Sequence, residues 1–201
     1  MKQTAKIISL IFHPVLIPTI ITGCFYLLNA DFFIPLERHV ATAQVFLMSF
    51  LFPVCMYYFL KSLGLLQSSV MINEVRERTS PMFLNILIVN ILVFKVWSNI
   101  ANTSLKVFFI AYSITYFILF CSALLKRKYS VHVAGFCSAI PLLVNQTTVY
   151  YLNPFIILPL LLIVLGLIAS ARLYLNAHTN VEIILGAIIG FIPSFILFYN
   201  M

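Results

Sequence analysis

Long apolar runs with short polar interruptions make up this chain. Seven segments stand out, at 7–28, 41–60, 82–98, 105–125, 132–150, 155–170 and 182–199. A helix needs about 20 apolar residues to cross roughly 30 Å of hydrocarbon, so each segment is a candidate span. All are too long and too continuously apolar for barrel strands that alternate inward and outward, and helices are the remaining way to satisfy a backbone in lipid. The pattern predicts an all-α fold, a polytopic transmembrane helix bundle of six to seven spans. No Gly/Ser-rich linker or charge block divides residues 1–201, which predicts one membrane domain.

Counting crossings along this pattern puts the N-terminus and the segments 61–81, 126–131 and 171–181 on one side of the bilayer. The segments 29–40, 99–104 and 151–154 fall on the other. The cations follow the first set: Lys2, Lys6, Lys61, Arg76, Arg78, Lys126, Arg127, Lys128 and Arg172, against Arg38 and Lys106 opposite and Lys95 near the far end of its span. The positive-inside rule makes that charged face cytoplasmic. The expected setting is a bacterial inner membrane.

Composition agrees: 63% of residues are hydrophobic and 8% charged, too few charges for a soluble domain's shell. The net charge of +7 comes from residues flanking apolar runs, where anionic head groups rather than nucleic acid are the natural partner. Lys2 and Lys6 precede a stretch that resembles a signal peptide. Its length of about 22 residues, Pro14, Pro18 and the lack of a small-x-small cleavage site predict a retained span. Cys24, Cys55, Cys121 and Cys137 lie inside apolar runs without CxxC spacing, so neither a disulfide framework nor a zinc site is expected.

Candidate chemistry gathers in three segments on the charged side. The most informative runs from Ala171 to Gly186. Arg172 and His178 are six residues apart, about 240° around a continuous helix beyond one full turn, so sharing a face requires a break between them. His178 and Glu182 are four apart, which lets the carboxylate bond one imidazole nitrogen and fix the tautomer. The alternative reading makes Thr179 to Glu182 a capping box and has Arg172 snorkel to the head groups. Gly186 and Gly190 fit a close-packing pair of helices. In the second segment, Lys126 to Gly135, Ser130 is placed to cap a helix whose N-terminus could seat a phosphate, and His132 is either a cavity residue or structural. The first segment, Asn73 to Pro81, offers Arg76 and Arg78 as bidentate phosphate donors or as part of a solvated loop. His13, before Pro14, is a further candidate for the cavity wall, with a structural role as the alternative.

Arg172-x5-His178-x3-Glu182 followed by an apolar helix resembles the third motif of the type 2 phosphatidic acid phosphatase superfamily of membrane lipid phosphatases. The likeness extends through Tyr174 and Gly186. Ser130-Val131-His132 resembles the Ser-Gly-His element of that family, and the stretch from Arg76 to Pro81 its Lys-x6-Arg-Pro element; together they span about residues 70–190 in the family's order. The resemblance implies that His178 attacks phosphorus to form a phosphohistidine, with Glu182 orienting it and His132 protonating the departing oxygen. It also implies that Arg172, Arg78, Arg76 and Ser130 hold the phosphoryl oxygens, with no metal or other cofactor. The implied substrates are membrane phospholipids or polyprenyl phosphates, of the polyprenyl pyrophosphate or phosphatidylglycerol phosphate class. Ala171 stands where the family has serine, Val131 where it has glycine, and no lysine precedes an Arg-Pro pair by seven residues. A catalytically silent phospholipid binder or carrier of the same fold is the alternative from a different class.

Overall fold

The computed structural model describes residues 2–64, 79–96, 103–149 and 153–200. Among them every regular element is helical: α1 (Lys2–Ile11), α2 (Ile17–Leu28), α3 (Pro35–Phe46), α4 (Phe52–Ser62), α5 (Thr79–Ile91), α6 (Thr103–Leu124), α7 (Val131–Val149), α8 (Pro154–Tyr174) and α9 (Asn180–Tyr199). The all-α expectation holds. Among the described residues, four helices are long and apolar enough to cross a membrane: Pro35–Ser62, Thr103–Leu124, Phe155–Tyr174 and Asn180–Tyr199. The protein is an integral membrane protein.

Proline shapes several of these elements. The segment 7–28, expected as one span, is two helices, because Pro14 has no N–H to continue α1 and the chain turns through Phe12 to Leu16 before Pro18 re-enters helix at the second position of α2. The rod formed by α3 and α4 stays continuous through a π-turn at Leu47–Leu51, where the Phe52 N–H bonds back to the Leu47 carbonyl. Pro53 follows directly and can donate no bond of its own, so the widened turn absorbs the mismatch. At the start of α8, the Asn153 side chain accepts a 2.9 Å bond from the Phe155 N–H as an N-cap.

α7 and α9 form the most extensive helix pair, and α6 packs on both. α8 covers α7, α1 lies on α8, α2 contacts α7 and α3, and α5 leans on α6. Small residues make the α7–α9 approach possible. On α9, Gly186, Gly190 and Ser194 are buried in one stripe and face Ser130, immediately before α7, and Ala134 and Ser138 on it. A Cβ on Gly190 would clash with the Ala134 carbonyl oxygen, and one on Gly186 would fall 2.9 Å from that of Ser130. Ser194 donates its hydroxyl to the Ser138 carbonyl, which closes the pair at its third step. Matched partners rise together along both helices, so α7 and α9 run parallel, with their N-termini at the same end. The outer faces of α8 and α9 carry exposed Phe155, Ile163, Ile184, Ile188, Ile192 and Phe195, a surface for lipid.

Candidate functional site

Two hairpins bring the second and third segments together. Both stop a helix in the same way. α6 ends with Lys126 in the left-handed region at φ 57°, where the Arg127 N–H bonds the Ser122 carbonyl and the Lys126 N–H bonds that of Ala123. α8 ends with Asn176 at φ 50°, the Ala177 N–H bonding the Arg172 carbonyl and the Asn176 N–H that of Leu173. These are Schellman motifs built without glycine. The second supplies the expected break between Arg172 and His178: Arg172 lies in the last turn of α8, and His178 sits just before α9.

His178 and Glu182 meet as expected. The imidazole Nδ1 lies 2.8 Å from Glu182 Oε2. That same oxygen accepts the Thr179 N–H at 3.3 Å, while Thr179 Oγ1 accepts the Glu182 N–H at 3.3 Å. The capping box of the alternative reading is present and its carboxylate also holds the histidine, whereas Arg172 is buried rather than turned out to the head groups. A carboxylate accepting the Nδ1 proton leaves the neutral ring's lone pair on Nε2, the arrangement a nucleophilic or basic histidine requires.

Ser130 differs from its expected part. It stands immediately before α7, yet its hydroxyl caps nothing: Oγ is buried without a hydrogen-bond partner. Its backbone N–H instead donates to the Glu182 carbonyl at 3.2 Å, tying the two parallel helix starts together. The reason is steric, since Gly186 brings α9 against the Ser130 backbone. His132, at the second position of α7, is 7% exposed and its Nε2 has no partner. Arg172 at 4% and His178 at 8% are buried at the same end, and both lie within electrostatic range of His132.

The N-terminal elbow adds two residues. His13 packs edge-on against His132, with ring centroids 5.3 Å apart and planes at 85°. The Ser9 backbone lies close to the His132 ring. Ser9 escaped the sequence reading because a serine in an apolar helix carries no signal by itself. The hint was the Ala5-x3-Ser9 pair, the buried stripe of α1. Arg76 and Arg78, the remaining residues proposed for phosphate, lie outside the described residues.

The arrangement suits an anion. α2, α7 and α9 all start at this end, and aligned helix N-termini offer partial positive charge and orphan N–H groups. Arg172 adds a full charge, and Glu182 is the one carboxylate there among the described residues, engaged by His178 and Thr179. Among the described residues, no three His, Cys, Asp or Glu side chains converge as a metal shell. No protein-family model matches the chain, and no curated protein or solved structure matches it either.

Proposed function

We propose that this protein is a membrane lipid phosphatase that hydrolyses a lipid phosphate or pyrophosphate through a phosphohistidine on His178. The observation that carries this reading is the 2.8 Å bond that Glu182 Oε2 accepts from His178 Nδ1, made beside buried His132 and Arg172 at the shared N-terminal end of two parallel helices. In the proposed first step His178 Nε2 attacks phosphorus while the P–O bond to the lipid breaks. His132 Nε2 delivers a proton to the departing oxygen. In the second step His132 takes a proton from water, which attacks phosphorus, breaks the P–N bond and releases phosphate. Arg172 and the Ser130 hydroxyl hold the non-bridging oxygens as charge develops, with Arg76 and Arg78 assigned the same task.

Six to seven spans, a charged site face toward the cytoplasm and a bacterial inner membrane complete the proposal, supported by the cation count across the predicted loops. Exposed apolar flanks on α8 and α9 suit a substrate that enters sideways from lipid. Polyprenyl pyrophosphate and phosphatidylglycerol phosphate are the substrate classes.

The test is phosphate release by the purified protein in detergent, without added metal, from polyprenyl pyrophosphate, phosphatidylglycerol phosphate and phosphatidic acid, alongside His178→Ala. Release that depends on His178 is the expected result. No release from any of the three by folded protein would leave a silent phospholipid carrier as the better description.

A further inference from the structure

Ser9 and His13 lie outside the three segments on which the proposed reaction rests, yet both reach the same buried end. Ser9 has no exposed surface, and its hydroxyl has no partner. That is unusual for a helical serine, which can always turn its hydroxyl back onto the carbonyl three or four residues earlier. Elsewhere in this protein such residues do so: Thr22 bonds the Pro18 carbonyl at 2.8 Å, Ser122 that of Ile118 at 2.8 Å and Ser138 that of Gly135 at 2.7 Å. Ser9 forgoes the bond, and burial of an unpartnered hydroxyl is a standing cost to the fold. Four residues on, His13 packs against His132, whose Nε2 is also buried and unpartnered, as is Ser130 Oγ just before it. Three buried polar atoms without a hydrogen-bond partner, with Arg172 close by, form a group chemically suited to an oxyanion.

We infer that the N-terminal elbow forms a further wall of the phosphoryl site: Ser9 donates its hydroxyl to a phosphoryl oxygen, and His13 is a positioning residue that holds the His132 ring edge-on. The inference rests on the phosphatase reading. It also explains why α1 lies on α8 along its small-residue stripe, because a larger side chain at either position would lift the serine from the seat. His13 does its part through ring contact, so another aromatic ring of similar width serves the same purpose.

The experiment uses the full chain in detergent and two probes, orthovanadate binding by calorimetry and steady-state phosphate release from the best lipid substrate. Ser9→Ala is expected to weaken vanadate binding and raise KM by about tenfold or more, the size of a lost hydrogen bond to a charged group. Its thermal midpoint should hold or rise, since an idle buried hydroxyl has been removed. Ser9→Cys keeps the volume and should show the same loss of affinity if alanine leaves a hole. His13→Ala is expected to lower kcat about tenfold with KM unchanged, and His13→Phe to restore most of it. Vanadate affinity and KM within twofold of wild type in both Ser9 variants would overturn the serine's role. Equal kcat in His13→Ala and His13→Phe would overturn the histidine's. If these variants behave as wild type while His178→Ala is dead, the elbow fails and the phosphatase stands; if wild type neither binds vanadate nor releases phosphate, both fall together.

Discussion

Polar side chains in the body of the bundle and those at its site end are treated in opposite ways. In the body many find partners. Asn29 donates to Gln146 Oε1 at 3.0 Å and to the Phe25 carbonyl, Asn90 donates to Ser113 at 2.8 Å and to the Ile86 carbonyl, and Tyr112 donates to the Pro14 carbonyl at 2.7 Å. At the site end Ser9, Ser130 and His132 Nε2 are buried with none. Beyond that end, Asn85 Oδ1 and Arg38 Nε are the other buried polar atoms without a partner among the described residues. A satisfied polar pair in an apolar setting is glue between helices, whereas an unsatisfied cluster beside an arginine lowers stability unless something else fills it. Burial alone does not set the proposed site apart, nor does a single unpartnered atom; a cluster of unpartnered groups beside an arginine does.

The largest effect that tests this contrast is chemical. His178→Ala should lower kcat by about a thousandfold or more, the scale of losing a nucleophile, while the Thr179–Glu182 capping box keeps α9 in place and the thermal midpoint moves little. A variant that unfolds instead would put His178 among the structural polar groups. Next comes the helix pair that frames the site. Gly190→Ala forces a methyl into the Ala134 carbonyl and should cost about 3 kcal/mol or more, seen as a large drop in thermal midpoint. Gly166→Ala on α8, with open space around the new methyl, should be neutral or slightly stabilising. Equal effects at the two glycines would mean that α7 and α9 are not in close contact.

In the body of the bundle, Asn29→Leu should destabilise by roughly 1–3 kcal/mol by stranding Gln146, and adding Gln146→Leu should recover part of that loss. A thermal double-mutant cycle measures this coupling. Strict additivity would remove the pair as glue. The smallest effect expected is at Lys126, whose φ of 57° carries a strain of about 1 kcal/mol that glycine avoids. Lys126→Gly should raise the thermal midpoint by a degree or two, and a fall would show that the lysine side chain contributes more than its backbone costs.

Much of the helical content was legible from apolar run length, because lipid leaves few other ways to satisfy a backbone. The break between Arg172 and His178 and the His178–Glu182 pair were legible from helical spacing alone, since residues four apart must meet across one turn. Pro14 was visible too, but whether it would kink a single span or split it into two helices depended on what the elbow packs against. The Ser130 hydroxyl defeated its local rule for a related reason, as its backbone was claimed by α9 before its side chain could cap α7.

Sequence alone thus determined the properties that act within one turn or one span: helicity, membrane residence, and the histidine held by its glutamate. Tertiary structure decided which distant residues share the site. Ser9 and His13 meet His132 more than a hundred residues away because small side chains let α1 settle on α8 and α7 on α9. Such proximity depends on how closely helix backbones can approach, a property of both surfaces at once that neither helix's own pattern records.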